Sequence, residues 1–125
     1  MKIKTSELID QALDWAVAKC EGKVVNEEYR AYQGLIRGMW GSIRYKPSTS
    51  WAQGGPIIER GHIHTWTDRK DAAYAGHPDS YWVAEMTELG GIWWGPTPLI
   101  AAMRCYVASK LGDEVEVPAE FHNTI

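Results

Sequence analysis

The segment "TPLIAAMRCYVASKLG", residues 97–112, constrains the fold most strongly, because it predicts a helix that is apolar on nearly every side. Thr97 is typical of a helix N-cap, Pro98 of the first helical position, and Gly112 of the position where a helix ends. A helix without a polar face must be covered on most sides by the rest of the chain. We therefore expect this helix to lie within the core.

Arg104 is the one charged residue within the apolar part of this helix. A buried guanidinium needs a carboxylate, backbone carbonyls or a bound anion as its partner. Buried charges are usually paired, so the simpler interpretation is a salt bridge to an acid such as Glu59 or Glu85. The alternative is an anion site, in which Gly95 allows close backbone approach and the amides at the Thr97 helix start point outward.

Two segments carry the features of such a site, namely "WWGPTP" at residues 93–98 and "SWAQGGP" at residues 50–56. Each places Trp before a Gly-Pro helix start and Arg after it, so the two would line one pocket if they faced each other, with Trp stacking on a planar ring. The ordinary alternative is that Gly-Pro pairs simply lead loops into helices. The candidate ligand-binding residues are Trp51, Gly54, Gly55, Arg60, Trp93, Trp94, Gly95, Thr97 and Arg104.

The remaining pattern predicts a single α+β domain over residues 1–125, with two main helices packed on a small, mostly antiparallel β-sheet. Residues 5–21 form an amphipathic pattern in which Thr5 is the N-cap and Asp10 and Asp14 lie on the solvated face. Short strands are predicted around residues 24–25 and 41–45, followed by a loop at 46–55 and a short helix starting at Pro56. The segments "HIHTW" and "SYWVAEMT" predict two further strands.

Composition disfavours several classes of function. The chain has 13 basic and 16 acidic residues, a net charge of −3, with no cluster of the kind that an extended nucleic-acid interface needs. No segment approaches the roughly 20 apolar residues that cross a bilayer, and the start "MKIKTSELIDQ" lacks an apolar signal segment. We therefore expect a cytoplasmic protein that binds neither membrane nor, as its main partner, nucleic acid.

No complete catalytic or cofactor motif is present in the sequence. A phosphate-binding glycine fingerprint is missing, and Cys20 and Cys105 lie in helical patterns typical of buried thiols. His62 and His64 have a spacing compatible with a metal, but two ligands do not complete a site. We expect no metal, no cofactor and no enzymatic activity.

Three segments, "ALDWAVAKCEG", "YKPSTSWAQGGPIIER" and "GPTPLIAAMRCYVASKLGDEVEVP", together resemble the NinX family of lambdoid phages and prophages. The resemblance covers about half the chain and leaves out residues 65–81. The family has no assigned biochemical activity, so the resemblance implies a phage accessory protein in the host cytoplasm. The family pattern reads Thr-Asp-Trp where this chain has Thr49-Ser50-Trp51, so no role of an acid there carries over to Ser50.

Two function hypotheses from different classes fit these observations. The first is a non-catalytic binder of a small anionic, nucleotide-like ligand, which for a phage protein would mean sequestering a host defence signal. The second is an interaction protein that docks on a host or phage protein through a Trp-rich surface. An enzyme acting on nucleic acid ranks last, because paired carboxylates with a basic groove are missing.

Overall fold

The computed structural model describes residues 1–23, 45–68, 82–88, 90–119 and 121. The described residues form an α+β fold of three α-helices and two small antiparallel sheets. A 3-10 turn at Thr5–Glu7 follows the first strand. In chain order the elements are β1 (Lys2–Lys4), α1 (Asp10–Cys20), α2 (Trp51–Gly61), β2 (Ile63–Thr67), β3 (Trp82–Met86), β4 (Trp93–Gly95), α3 (Pro98–Leu111) and β5 (Glu114–Glu116).

The C-terminal helix α3 lies at the centre of the core, as its apolar pattern predicts. All ten residues from 99 to 108 are buried, and α3 contacts both sheets and both other helices. Its N-terminus is capped by Thr97, whose Oγ1 accepts a hydrogen bond of 3.1 Å from the Ile100 amide. Pro98 occupies the first turn and Gly112 ends the helix with a φ of 86°, a region that favours glycine. Both predicted ends of the helix are confirmed.

The larger sheet has the strand order β2-β3-β4, and both pairings are antiparallel. Its inner strand β3 carries the buried pair Val83 and Ala84, which lie opposite Trp94 and Trp93 of β4. The two strands expected from "HIHTW" and "SYWVAEMT" are confirmed as β2 and β3. Strand β4 was not predicted, because three residues are too few to establish an alternating pattern.

The smaller sheet pairs β1 with β5, two strands at opposite ends of the sequence. Ile3 lies opposite Val115, and both side chains are buried. Burying one apolar residue from each strand fixes the register of this short ladder. The predicted strand at 24–25, and the one at 41–45 except its last residue, lie outside the described residues.

The start of the first helix differs from the prediction. Thr5 does not cap it, because the extended residues Leu8 and Ile9 separate the 3-10 turn from α1. Thr5 is instead buried, and its Oγ1 donates a hydrogen bond of 2.6 Å to the carbonyl oxygen of Gly112. Its amide donates to the carbonyl of Asp113 at 2.8 Å. Thr5 thus secures the end of α3.

Asp14 was expected on the solvated face of α1, and this expectation is wrong, although Asp10 is exposed as predicted. The Asp14 carboxylate is buried against the segment 45–50 and accepts a hydrogen bond of 2.8 Å from the amide of Ser48. Burial raises the pKa of Asp14 to about 6, against the opposing effect of hydrogen bonding to Ser48. The carboxylate therefore accepts a hydrogen bond from a buried amide, that of Ser48, and its own removal from water is unfavourable.

The central helix is longer than expected. Residues 51–55 were predicted as loop with Pro56 at the first helical position, but α2 begins at Trp51 and contains Pro56 in its interior. The absence of a side chain at Gly54 lets this helix pack closely against Pro47 and Leu99. An added Cβ would lie 2.4 Å from the Pro47 carbonyl oxygen and 2.7 Å from Leu99 Cδ2. The same atom added at Gly55 would meet nothing within 4 Å.

The two neighbouring glycines of α2 provide a matched test of this packing. Alanine is favoured over glycine within a helix by about 1 kcal/mol. We expect Gly55→Ala to raise the urea midpoint of unfolding, because its Cβ has open space. Gly54→Ala should lower the midpoint despite the same gain in helix propensity, because a backbone oxygen blocks its Cβ. Equal shifts for the two variants would contradict the packing of α2 on Leu99.

Asp14 generates a prediction on pH. Its raised pKa means that the folded state binds this proton more tightly than the unfolded state, so the Asp14 contribution to stability falls as pH rises from about 4 to 6. Asp14→Asn keeps an acceptor for the Ser48 amide and removes the titration. Denaturation at a series of pH values should show the free energy of unfolding of the variant rising relative to that of the wild type by up to about 3 kcal/mol across this window. A constant difference between the two proteins would contradict the buried carboxylate.

Candidate functional site

Arg104 projects from the middle of α3 and is 7% exposed. Its Nε donates a hydrogen bond of 2.8 Å to the carbonyl oxygen of Leu8, and its Nη1 donates one of 2.9 Å to the carbonyl oxygen of Trp94. Two backbone acceptors from separate elements thus fix the plane of the guanidinium. The sequence left three kinds of partner open for Arg104, namely a carboxylate, backbone carbonyls or a bound anion. Within the described structure its partners are backbone carbonyls.

The predicted salt bridge from Arg104 to Glu59 or Glu85 is wrong. Within the described residues, the ion pairs join the N-terminal amine to Glu116 and Arg60 to Glu21. Burial lowers the pKa of Arg104, and the negative charge of Glu7 opposes this effect without forming an ion pair. Arginine stays protonated in proteins, so the core holds a cation whose described hydrogen-bond partners are neutral.

A surface depression of about 480 Å3 lies beside this guanidinium. It is formed where the 3-10 turn and the start of α1 meet β4 and α3. Arg104 is its buried polar group, whereas Ser6 and Glu7 are exposed. The lining residues are Ser6, Glu7, Ile9, Ile92, Trp93, Trp94 and Arg104.

The aromatic part of the depression comes from Trp93 and Trp94 on β4. Both are half-buried, and Trp93 packs in part against the core. Ile9 and Ile92 add aliphatic surface, and Ile92 is exposed. Because neighbouring side chains of a strand point to opposite faces, at most one of the two indole rings faces Arg104, and that ring would give a bound molecule a flat apolar surface beside a charge.

Thr97 and Gly95 have local structural roles in this arrangement. Pro98 has no amide hydrogen, the Ile100 amide donates to Thr97 Oγ1, and the Ala101 amide donates to the Thr97 carbonyl. The helix start therefore has few free donors for an anion. Gly95 is buried, and a Cβ added there would lie 2.6 Å from the Ala101 amide nitrogen, so its small size lets β4 approach α3.

The other predicted site residues, Trp51, Gly54, Gly55 and Arg60, belong to α2. Gly54 packs against Leu99 whereas Gly95 packs against Ala101, and positions two apart on a helix differ by about 200° around its axis. Trp51 is 57% exposed, and the depression beside Arg104 contains no residue of α2. The structure thus does not bring the two Gly-Pro segments together in this depression.

A second cavity of about 540 Å3 lies near the C-terminal end of α2. Its charged lining residues, Arg60, Glu88 and Lys110, are all exposed. Arg60 is already paired with Glu21 at 2.6 Å, and the same carboxylate accepts a hydrogen bond of 2.5 Å from the Tyr106 hydroxyl. The depression beside Arg104 is the stronger candidate site, because its charge is buried and has no carboxylate partner in the described structure.

The two cysteines and the His62–His64 pair are the side chains that the sequence offered for nucleophilic and metal chemistry. Cys20 is half-buried and Cys105 buried, both are free thiols, and burial raises their pKa values to about 12 and about 11. Such thiols are poor nucleophiles near neutral pH. His62 precedes β2, His64 lies exposed on that strand, and no group of three or more metal-ligating side chains occurs among the described residues.

The family model described as Bacteriophage P22, NinX matches residues 4–110. The chain belongs to the NinX family. A comparison with curated proteins found no match. The matched range includes every residue lining the Arg104 depression, and it extends through residues 65–81, which the sequence resemblance had left out. None of the described helices has the length and apolar character needed to cross a membrane.

Four residues of the depression were not identified from the sequence: Ser6, Glu7, Ile9 and Ile92. The first three lie about 90 residues before β4 and appeared to belong to one continuous amphipathic helix. The break at Leu8 and Ile9 turns them toward β4, and the Leu8 carbonyl reaches Arg104 only because of that break. The one indication of this contact in the sequence was that Arg104 is the single charge within the apolar part of its helix.

The role of Thr97 can be tested separately from any ligand. Thr97→Ala removes the acceptor for the Ile100 amide, and loss of such a cap costs about 1 kcal/mol of stability. Thr97→Ser keeps the hydroxyl and should stay close to the wild type in urea denaturation. If both variants lost the same stability, the Thr97 methyl group would be the important feature and the cap assignment would be contradicted.

Proposed function

We propose that this NinX protein is a non-catalytic phage accessory protein that binds a small anionic, nucleotide-like molecule in the Arg104 depression, in the cytoplasm of its host. The observation that carries the proposal is the guanidinium of Arg104, a residue that is 7% exposed, whose described hydrogen-bond partners are two neutral carbonyls. A cation removed from water gains most from a partner of opposite charge.

The hydrogen bonds of Arg104 leave donors for such a partner. Arginine has five N–H groups in a fixed fork, and the carbonyls of Leu8 and Trp94 each accept one of them. Phosphate and carboxylate oxygens match the spacing of the remaining fork and bind it in a bidentate manner. Since the guanidinium plane is already held by backbone, little entropy is lost when an anion binds.

The rest of the lining favours a planar ring attached to the anion. Trp93 and Trp94 both line the depression, and stacking of a base on one such aromatic side chain would contribute about 1–3 kcal/mol. A volume of about 480 Å3 lies within the range of small-molecule sites. Glu7 opposes an anion, but its carboxylate is exposed, so its repulsion is weaker than the attraction of the buried Arg104 guanidinium.

This proposal uses Trp93, Trp94 and Arg104 from the sequence-based set and omits the residues of α2. Binding without catalysis fits a role in sequestering a host signal, because a phage benefits from removing a nucleotide messenger whether or not it is degraded. The protein would then act in proportion to its concentration and its affinity.

Trp51 favours a second candidate function, docking on a host or phage protein. This residue begins α2 with 57% of its surface exposed, and large exposed aromatic side chains are typical of interaction surfaces. A photo-crosslinking residue at position 51 in phage-infected cells should form one discrete adduct if docking occurs. A diffuse pattern equal to that from a residue at position 59 would contradict this second candidate.

A charge test at Ile92 separates anion binding from general apolar binding. Ile92 is exposed at the depression, so Ile92→Asp and Ile92→Asn should both fold. Both variants lose the same apolar contact, and only Asp adds negative charge near the ligand. Titration with AMP and GMP, followed by tryptophan fluorescence, should give roughly threefold to tenfold weaker binding for Asp than for Asn at low salt. Equal affinities of the two variants, or no binding to the wild type, would contradict the proposal.

A further inference from the structure

We infer that the nucleotide recognised at the Arg104 depression carries guanine, with Glu7 as the residue that reads the base. This inference rests on the proposed function and adds the identity of the base to it. Its basis is the combination of one acceptor-only and one donor-only side chain with Trp93 and Trp94 in the lining of a depression of about 480 Å3.

The charged groups of the lining have complementary hydrogen-bonding capacity. The Glu7 carboxylate only accepts hydrogen bonds, whereas the Arg104 guanidinium only donates them. Glu7 lies close enough for its charge to act on Arg104, yet the two form no ion pair. Both groups thus remain open to a ligand, and each selects a different part of it.

Guanine matches the carboxylate better than adenine does. The N1–H and N2–H groups of guanine are adjacent donors, and they fit the two oxygens of one carboxylate as a charge-assisted pair. Adenine presents a single amino donor next to the N1 lone pair, which would face a carboxylate oxygen and be repelled. Hypoxanthine keeps N1–H and lacks the 2-amino group, so it offers half of the guanine contact.

The difference in burial between Glu7 and Arg104 assigns Glu7 to the base and Arg104 to the phosphate of the ligand. Glu7 is exposed at the rim, where a base edge can reach it, and Arg104 is buried, where a phosphate gains most from a fixed cation. Trp93 or Trp94 would then stack on the base between these two contacts. The phosphate should therefore contribute to affinity independently of the base.

The test is isothermal titration of the wild type with GMP, IMP, AMP and guanosine, repeated with Glu7→Gln and with Glu59→Gln. Glu59 is an exposed acid on α2 outside the depression, so Glu59→Gln controls for the loss of one negative charge. For the wild type we expect GMP to bind about tenfold more tightly than IMP or AMP, and more tightly than guanosine.

Glu7→Gln gives the decisive comparison, because the amide lacks the negative charge and one of the two acceptor oxygens that face guanine N1–H and N2–H, whereas it can accept from the adenine amino group and donate to adenine N1. We expect this variant to weaken GMP about tenfold and to strengthen AMP, while Glu59→Gln changes neither. If AMP and GMP bind the wild type equally and Glu7→Gln shifts both in the same direction, the inference about guanine is overturned while the proposed function stands. If none of the nucleotides binds, both are overturned.

Discussion

The Arg104 guanidinium joins three parts of the fold that are distant in sequence. From its position in α3 it reaches the carbonyl of Leu8, where the N-terminal segment breaks between the 3-10 turn and α1, and the carbonyl of Trp94 in β4. Thr5 adds a second link from the same segment to the end of α3. These contacts join the elements that line the depression, so the buried cation belongs both to the core and to the candidate site.

Elements governed by neighbouring residues could be predicted from the sequence, and elements governed by distant contacts could not. The ends of α3 follow from Thr97, Pro98 and Gly112, which act within one turn of the helix. The burial of Asp14 depends on the Ser48 amide, 34 residues away, so the helical pattern placed it wrongly on the solvated face. Helical periodicity predicts which face of a helix is polar. It carries no information on whether a buried backbone amide elsewhere needs a polar side chain from that face.

The same division applies to the candidate site. Arg104 and the two tryptophans of β4 stood out because a charge in an apolar helix and a Trp pair are unusual in themselves. Glu7 resembled an ordinary acid in the first turn of a helix, and only the break at Leu8 and Ile9 places it in the depression. Gly54 and Gly95 resembled one another in sequence, yet they pack on opposite sides of α3. Membership of the NinX family identifies the origin of the chain, and the proposal of anion binding rests on Arg104, which has no carboxylate partner among the described residues.

The central claim is that the Arg104 guanidinium receives the anion, and nitrogen NMR of the arginine side chains observes this group directly. The Arg104 Nε–H is buried and hydrogen-bonded to Leu8, so it should exchange slowly and give a resolved signal, whereas Arg60 is exposed and serves as an internal reference. On titration with GMP, the account predicts saturable shifts of the Arg104 Nε and Nη signals, with Arg60 unchanged. Binding that leaves the Arg104 signals in place, or moves only those of Arg60, would contradict it.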